Sequence, residues 1–262
     1  MKKISTLFKK NPENLGLVIN EIAPENQWVF DCEAIATRKY DGTACAVIDN
    51  KLYKRYDVKP DRKKYNPTFK MGQLVSKNSG KPFKNGSITD VIFEITLNEQ
   101  SPNKELGARL KESDTIVNLS QLQIVNGWCK DDFKNVPPNA IPCQEPDEIT
   151  GHWPHWIECD RNNPADKFHF EGYDLLIFDE KDGTDFNGTY ELCGPKIQGN
   201  PERLEFHALI KHGIKVIEGL VLEFDSLKQY LESVDIEGIV FHHKSDGRMC
   251  KLRKSDFGLL RS

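Results

Sequence analysis

The first residue that could do chemistry is a lysine beside a tight turn, in the stretch KYDG at residues 39–42. An Asp-Gly pair is a strong turn signal, so Lys39 could be an ordinary solvated cation at a strand end. It could also be a nucleophile, because a lysine amine attacks once it has lost its proton. A free lysine has a pKa of about 10.4, so a nucleophilic lysine needs burial or nearby cations that lower this pKa.

A lysine that attacks a phosphate also needs positive charge near the leaving group, and usually a divalent metal held by a carboxylate. Lys251 and Arg253 lie two apart in CKLRK, a spacing that puts both on one face of a strand. Glu237 opens the strand of the same predicted hairpin, and Glu191 lies in GTYELCGPK. Arg55 lies on the returning strand of an earlier hairpin. Each residue alone could be a solvated strand residue.

Charge is unevenly distributed along the chain. The 262 residues carry a formal net charge of −4, which predicts no global affinity for nucleic acid. Two basic blocks lie at 51–70 and 244–261, and the segment 130–185 is acidic. If the fold joins the two blocks they make a phosphate-binding face; otherwise they are two solvated strand faces.

Several protein classes are disfavoured by the sequence. No run of eighteen apolar residues occurs, so no membrane span is expected, and the N-terminus lacks the apolar core of a secretory signal. The seven cysteines are scattered and odd in number, which indicates free thiols in a reducing, intracellular compartment, the cytoplasm or nucleus. No feature of the sequence indicates an obligate protein partner.

One cluster has the residue types of a zinc site. It consists of Cys143, His152, His155 and Cys159. Thiolates and imidazoles are zinc ligands, but this spacing matches no compact finger pattern. Trp153, Pro154 and Trp156 are interleaved with it, so an aromatic-packed loop explains the segment as well.

The coarse secondary structure is mixed. Two hairpins are predicted, one turning at Asp49-Asn50 and one at 244–247. Buried strands are predicted at 90–97 and 173–180. Helices are predicted at 104–112, at 200–213 with Asn200 as N-cap, and at 225–234.

These elements predict an α+β protein built on antiparallel sheet. Neither a GxxxxGK[ST] motif nor a GxGxxG motif after a strand occurs, so Walker-type and Rossmann-type nucleotide sites are unlikely. We expect a single domain over 1–262, with an insertion or long-loop region at 98–170.

Five short motifs occur in a fixed order: KYDG, an arginine, YEL-G, EGIVF and KLRK. They resemble motifs I, Ia, III, IV and V of the covalent nucleotidyltransferases, which include ATP-dependent DNA ligases, RNA ligases and GTP-dependent mRNA capping enzymes. The resemblance spans residues 37–254. In detail, ATRKYDGT, TGHWP, GTYELCGPKIQGNP and IEGIVFH are most similar to ATP-dependent 5′-to-3′ RNA ligases of the human RNA ligase 1-like and viral type.

The resemblance implies a role for each motif residue. Lys39 resembles the lysine that forms lysyl-AMP, Arg55 the arginine that contacts phosphate or ribose, and Glu191 the acid that binds the ribose hydroxyls. Thr37 stands where ligases often carry a glutamate that reads the adenine amino group. A threonine hydroxyl or nearby backbone could still accept that hydrogen bond.

The last two motifs supply the metal ligand and the phosphate cations by the same resemblance. Glu237 resembles the acid near the catalytic metal, and Lys251 the lysine on the α-phosphate and leaving pyrophosphate. Arg253 replaces the second lysine of the usual KxK, which keeps the charge but changes its geometry. Lys254 could share that role.

Aromatic residues could contact the base or the RNA. The candidates for packing on adenine are Phe178, Tyr190, Phe206 and Phe241, and core packing is the alternative for each. In the region 98–170, four residues could stack on RNA bases or ribose or could form a packed loop: His152, Trp153, His155 and Trp156.

The resemblance implies an antiparallel-sheet nucleotidyltransferase (adenylation) domain that uses ATP and Mg²⁺ or Mn²⁺. Its substrate would be RNA with 5′-phosphate and 3′-hydroxyl ends, joined through lysyl-AMP and RNA-adenylate intermediates. Eleven residues follow Lys251, so no C-terminal OB-fold of the kind carried by DNA ligases and capping enzymes is expected. The alternatives are another covalent nucleotidyltransferase, either a DNA ligase or a capping enzyme, and a non-catalytic RNA-end binding protein on the same fold.

Overall fold

The chain forms two compact units in the computed structural model. The first unit comprises Met1–Arg55 with Trp156–Ser262, and the second comprises Tyr56–His155. The structure describes residues 4–31, 33–60, 130, 133–147, 151–178 and 184–261, and the short strands at 68–70, 73–75, 93–97, 106–110, 116–118 and 123–125. The prediction of a single domain over 1–262, with an insertion at 98–170, stays a prediction.

The first sheet of the first unit has four strands in the order β1-β18-β17-β4. Its strands are β1 (Ser5–Thr6), β4 (Ala34–Lys39), β17 (Gly238–His243) and β18 (Met249–Arg253). The pairs β4–β17 and β17–β18 are antiparallel, and β1 joins β18 in parallel. A separate two-stranded pair, β2 (Phe8–Lys10) and β3 (Val18–Ile22), lies in the same unit.

One face of this sheet is apolar and packs on the helix α2 (Phe224–Ser233) and on the 3-10 helix Pro24–Val29. Alternate strand residues such as Ile239 and Leu252 are fully buried there, against Leu227 and Leu231 of α2. Because side chains alternate along a strand, the intervening residues lie on the opposite face. That opposite face carries the polar motif residues.

Four antiparallel strands of the second sheet lie in the first unit. They are β5 (Thr43–Ile48), β6 (Lys51–Val58), β15 (Gly188–Cys193) and β16 (Ala208–Lys211), in the order β6-β5-β15-β16. The hairpin turn of β5 and β6 is made by Asp49 and Asn50, with φ angles of 50° and 60°, as a two-residue hairpin loop of this sequence requires. The helix α1 (Lys167–Phe178) covers one face through Phe170, Tyr173 and Leu176.

The second unit contains short strands. They are β7 (Thr68–Lys70), β8 (Gln73–Val75), β9 (Phe93–Leu97), β10 (Leu106–Leu110), β11 (Ile116–Asn118), β12 (Gln123–Val125) and β13 (Ile141–Pro142). They form the sheets β11-β10-β9 and β12-β8-β7, and β13 lies beside the first residues of β14 (Trp153–Glu158). Val58, Phe133 and Trp153 make a small core in this unit.

The predicted α+β class with antiparallel sheet, both hairpins and the helix at 225–234 are confirmed. Three element predictions are wrong. Residues 104–112 contain the strand β10, where pairing with β9 and β11 overrides helix propensity. The described part of 173–180 belongs to α1, because a short apolar run reads the same for a buried strand and a helix.

The third wrong prediction is the helix at 200–213. Asn200 has a positive φ, and its side chain hydrogen-bonds to both the N–H and the C=O of Leu204, so it closes a turn instead of capping a helix. The end of the segment is β16, whose backbone pairs with β15. Among the described residues, neither α-helix is long and apolar enough to cross a membrane.

A glycine controls how closely β17 and β18 approach. A Cβ on Gly238 would lie 2.3 Å from the Leu252 carbonyl oxygen and 2.8 Å from the Arg253 Cα. We expect Gly238→Ala to lower the free energy of unfolding by about 3 kcal/mol, because the clashing atoms are backbone. Urea denaturation measures this loss. Gly199→Ala is the control, since its Cβ meets nothing within 4 Å and costs only the strain of a positive φ, about 1 kcal/mol. Equal losses would contradict the close-approach argument.

Candidate functional site

The polar face of the first sheet carries the motif residues in two rows. Lys39, Gly238 and Arg253 are paired across β4, β17 and β18, and Thr37, Val240 and Lys251 form the next row. Neighbours in a row point to the same face, and rows two residues apart share it. The register therefore brings Lys39, Thr37, Lys251 and Arg253 together on the face that α2 does not cover.

Lys39 forms an ion pair with Glu237, the residue just before β17. The Lys39 Nζ also lies 3.4 Å from the carbonyl oxygen of Tyr40. The two side chains are 22% and 21% exposed, so the pair is partly shielded and still reachable from solvent. The carbonyl of Glu237 accepts a hydrogen bond from the Lys254 N–H at 2.9 Å, which joins it to the end of β18.

The charge of Glu237 is only partly compensated. Burial raises the pKa of its carboxyl, the contact with Lys39 lowers it, and the negative charges of Asp41 and Glu191 raise it again, with a net upward shift. Three carboxylates thus act on one small region. A hard divalent cation would stabilise the ionised form of Glu237, and carboxylate oxygens are the ligands that Mg²⁺ and Mn²⁺ prefer. The Glu237 carboxylate therefore suits such an ion as one ligand.

The pKa of Lys251 is strongly lowered in the folded protein. Burial lowers its pKa, and the positive charges of Arg253 and Lys39 lower it further, to about 8. The three cations therefore repel one another inside a partly desolvated site. An anionic group bound between them would relieve that repulsion.

Arg253 is oriented by a buried acid. Its guanidinium donates to Asp256 at 2.9 Å, and Asp256 also accepts a hydrogen bond from Lys10 at 2.6 Å. The hydrogen bond to Asp256 raises the pKa of Arg253, so this residue remains a cation. Lys254 itself is buried at the start of the 3-10 helix Lys254–Phe257.

Glu191 lies on β15, in the second sheet, and is buried. Its carboxylate accepts a hydrogen bond from the Gly42 N–H at 3.2 Å and contacts the His212 Nε2 at 2.9 Å. The other ring nitrogen of His212 lies 3.0 Å from the hydroxyl of Thr189, so the imidazole is held at both ends. Gly42 follows KYD directly, and this bond ties the lysine turn to β15.

Thr37 is buried and contacts a second histidine. Its hydroxyl lies 3.2 Å from the carbonyl oxygen of Val240 and 3.0 Å from the Nε2 of His242. Burial lowers the pKa of His242, and the neighbouring His212 lowers it further, so the imidazole is neutral at pH 7.

One pocket brings part of this site together, without Glu237, Lys251 or Arg253 in its lining. It is lined by Ile4, Thr37, Arg38, Lys39, Tyr40, Glu191, His212, Gly213, Val240, His242 and Met249. Three of the sequence-predicted residues, Lys39, Thr37 and Glu191, thus share one pocket. Sequence reasoning missed His212, His242 and Tyr40. His242 could have been found, because it is two residues from Val240 in a predicted strand and so shares its face.

Arg55 lies on β6, in the same sheet as Glu191. Lys54 pairs with Cys45, so continuing this register puts Arg55 opposite Ala44, and Glu191 pairs with Ala44 from the other side. Arg55 and Glu191 are therefore in one row of the second sheet, two strands apart, on the face opposite α1. Of the two basic blocks, 244–261 contributes Lys251 and Arg253 to the site, and residues 61–67 lie outside the described part of the chain.

None of the four aromatic candidates for packing on adenine lines the pocket. Tyr190 and Phe241 are core residues under α1 and α2, and Phe178 and Phe206 are exposed at 89% and 58%. Tyr40 lines the pocket instead, with the Arg38 guanidinium 4.7 Å from its ring centroid.

The aromatic segment at 152–156 is packed rather than open. Trp153, His155 and Trp156 are buried, and the His155 Nδ1 lies 2.9 Å from the Trp153 carbonyl oxygen. His152 is exposed. Among the described residues, the donor atoms close enough to hold a metal belong to Cys159, Asp166 and His169, so Cys143, His152 and His155 of the predicted cluster are not among them.

The chain resembles two curated proteins. It is 26% identical over 266 aligned positions to RNA ligase 1 of Rattus norvegicus, a match that covers 86% of this chain and 68% of that protein. RNA ligase 1 of Mus musculus matches at the same identity, over 86% of this chain and 67% of that protein. No family model matches the chain. The similarity supports a relationship to the RNA ligase family.

The charge repulsion in the site is directly measurable. We expect Lys251 to titrate with a pKa of about 8, and this pKa to rise in Arg253→Gln, because the second cause of its depression is then removed. Carbon-13 NMR of the reductively methylated protein, with Lys251→Arg to assign the signal, measures both values. Lys51 is an internal control, since its hydrogen bond to Glu158 raises its pKa.

The lowered pKa of Lys251 also makes the free energy of unfolding depend on pH. Lys251 keeps its proton up to about pH 10.4 in the unfolded chain but only up to about pH 8 in the folded chain. Because the unfolded chain binds more protons in this range, the free energy of unfolding rises with pH between about pH 8 and pH 10.4. A Lys251 signal that titrates near the usual lysine value in the folded protein would contradict the site's electrostatics.

Proposed function

We propose that this protein is an ATP-dependent RNA ligase that joins 5′-phosphate and 3′-hydroxyl RNA ends. The observation that carries the proposal is the position of Lys39: it lines a pocket, contacts Glu237 and shares a strand face with two further cations. The similarity to RNA ligase 1 proteins supports the substrate class.

In the first step, the Lys39 Nζ attacks the α-phosphorus of ATP. The Nζ–P bond forms while the bond from that phosphorus to the pyrophosphate oxygen breaks, which gives lysyl-AMP and pyrophosphate. The attacking nitrogen must first lose a proton, and water can accept it because the Lys39 side chain is 22% exposed.

Lys251 and Arg253 stabilise the negative charge that moves onto the leaving pyrophosphate. Both are on the strand face of Lys39, and Lys251 is close enough for the charges of Lys39 and Arg253 to lower its pKa. A bound triphosphate removes this repulsion, so binding energy and charge stabilisation come from the same groups. The hydrogen bond to Asp256 holds the Arg253 guanidinium in place, as a group that stabilises the leaving pyrophosphate requires.

The hydrogen-bonding groups of Thr37 and His242 match those of adenine. The Thr37 hydroxyl has one hydrogen, and if it donates to the Val240 carbonyl it must accept from the His242 Nε2–H. That tautomer leaves the His242 Nδ1 as an acceptor in the pocket wall. The amino group of adenine can donate to such an acceptor, whereas guanine presents a carbonyl oxygen at that position.

Glu191 suits the ribose. Its carboxylate is oriented by Gly42 and His212 and lines the pocket that holds Lys39. Carboxylates accept hydrogen bonds from vicinal hydroxyls, as expected for a ribose 2′,3′-diol. Arg55, in the same sheet row as Glu191, would contact phosphate or ribose.

Glu237 is the residue that would hold Mg²⁺ or Mn²⁺. When bound, the ion supplies Lewis-acid stabilisation of phosphate oxygens. The later steps use the same pocket: AMP passes from Lys39 to the 5′-phosphate of an RNA end, and a 3′-hydroxyl then displaces AMP. Each is an in-line displacement at phosphorus, so one set of cations serves all three steps.

An intracellular, reducing compartment fits this function. The five described cysteines are all free thiols, and four of them are buried. Cys193 lies two residues after Glu191 on β15, and burial raises the pKa of its thiol to about 12, so the thiol is protonated at pH 7.

Covalent labelling tests the nucleophile. With α-labelled ATP and Mg²⁺, we expect label to remain on the denatured wild-type protein and to be lost by at least about 100-fold in Lys39→Arg. Arginine keeps the positive partner of Glu237 but cannot form the adduct, so an unchanged melting temperature shows that the fold is intact. Lys228→Ala, at an exposed lysine of α2, is the control and keeps full labelling.

Three outcomes separate the alternatives to an ATP-dependent ligase. Absence of covalent label in the wild-type protein overturns the nucleophile and leaves the non-catalytic RNA-end binding protein. Label from GTP and none from ATP moves the function to capping. Equal label in wild type and Lys39→Arg assigns the adduct to another residue.

The nucleic acid is tested by end joining. We expect 5′-phosphorylated RNA with a 3′-hydroxyl to be sealed and a nicked DNA duplex of the same sequence to be sealed at least about tenfold more slowly. Gel analysis of end-labelled strands measures both rates. A 5′-hydroxyl RNA is the control and gives no product, because AMP transfer needs the 5′-phosphate. Sealing of the nicked DNA alone would contradict the RNA assignment.

A further inference from the structure

A second group of reactive side chains lies at the start of α1. It consists of Cys159, which follows β14, Asp166 at the end of the 3-10 helix Pro164–Asp166, and His169 in the first turn of α1. One ligand atom from each lies within 4.8 Å of the others. Cys159 and Asp166 are buried, at 8% and 1% exposure.

The histidine of this group has no hydrogen-bond partner among the described residues. Both ring nitrogens of His169 are buried. A buried polar group without a partner costs about 1–3 kcal/mol, so such an imidazole calls for a ligand that occupies one of its nitrogens. The nearby Cys159 sulfur and Asp166 carboxylate indicate which kind of ligand that is.

Asp166 is held in a fixed orientation. One carboxylate oxygen is paired with the Lys54 ammonium, and the other accepts the Asp160 N–H at 3.0 Å and lies 3.4 Å from the Asn163 amide nitrogen. The oxygen paired with Lys54 has a further lone pair available. Outer partners of this kind orient a carboxylate ligand, and the Lys54 charge offsets one of the two negative charges that a thiolate and a carboxylate bring.

The donor set selects the metal. A thiolate, an imidazole and a carboxylate together suit Zn²⁺ and similar borderline divalent ions, whereas Mg²⁺ prefers oxygen ligands. Zinc binds these donors at about 2.0–2.3 Å, which separates two ligand atoms by about 3.5 Å, so the group must contract by about 1 Å. Cys159 also lines a surface pocket with Leu52, Asp160 and Phe170, which gives an ion a route of entry.

We propose that Cys159, Asp166 and His169 bind one zinc ion, with solvent as the fourth ligand. The ion fixes the end of β14 to the first turn of α1, the helix that covers one face of the second sheet. This site is separate from the proposed Mg²⁺ or Mn²⁺ ligand Glu237, differs from it in donor chemistry, and does not depend on the ligase proposal.

Metal content and spectroscopy test the site on the full chain. The chelator-treated protein is incubated with Zn²⁺ in the presence of excess Mg²⁺, desalted and analysed by inductively coupled plasma mass spectrometry. We expect one zinc per chain and a raised melting temperature, since a ligand that binds only the folded state stabilises it. Co²⁺ in place of Zn²⁺ should give the near-ultraviolet band of a cobalt–thiolate bond.

Variants identify the ligands. Cys159→Ser should abolish the cobalt–thiolate band. His169→Ala removes a direct ligand and should weaken zinc affinity by about 10–100-fold or more, since loss of a residue that only orients a ligand already costs that much. Cys143→Ser is the matched control and should keep both the zinc and the band, because Cys143 belongs to the cluster that the sequence alone suggested. Circular dichroism checks the fold of each variant.

Three results overturn the proposal. In the wild-type protein, no zinc retained after desalting, or bound cobalt without a thiolate band, excludes the site whatever the variants do. Zinc that is kept in Cys159→Ser and lost in Cys143→Ser would move the metal to the cluster with Cys143, His152 and His155.

Discussion

The two-residue repeat of the β4–β17–β18 ladder is the constraint on which the candidate site depends. Every second side chain of these strands is buried under α2, so the register that makes the core also fixes what lies on the other face. A slip of one residue would bury Lys39 and Lys251 and expose Ile239. Core packing therefore holds the cations in line, and Gly238 allows the close approach of β17 and β18 beside Lys39.

The cations of the site repel one another when no anion lies between them. Lys39, Lys251 and Arg253 share one face, where Glu237 pairs with Lys39 and Asp256 pairs with Arg253. In the free protein this repulsion appears as the depressed pKa of Lys251. Under the proposed function a phosphate chain removes it, so the groups that bind the substrate would also stabilise its leaving part.

Much of this arrangement could be predicted from the sequence. Alternation in EGIVFHH and CKLRK predicted the hairpin that carries Lys251 and Arg253, because strand periodicity is local. The helix at 200–213 could not be excluded, since its caps and apolar spacing are locally sound and only pairing with β15 overrides them. His212 was missed for the same reason: its contact with Glu191 depends on that pairing.

The most direct test of the account is the covalent state of the protein after incubation with ATP and Mg²⁺. Intact-mass spectrometry, followed by peptide mapping, measures whether one AMP is attached and where. The account predicts an added mass of one AMP on the peptide that contains Lys39, lost in mild acid as a phosphorus–nitrogen bond requires. An unmodified protein, or AMP on any other residue, would contradict it.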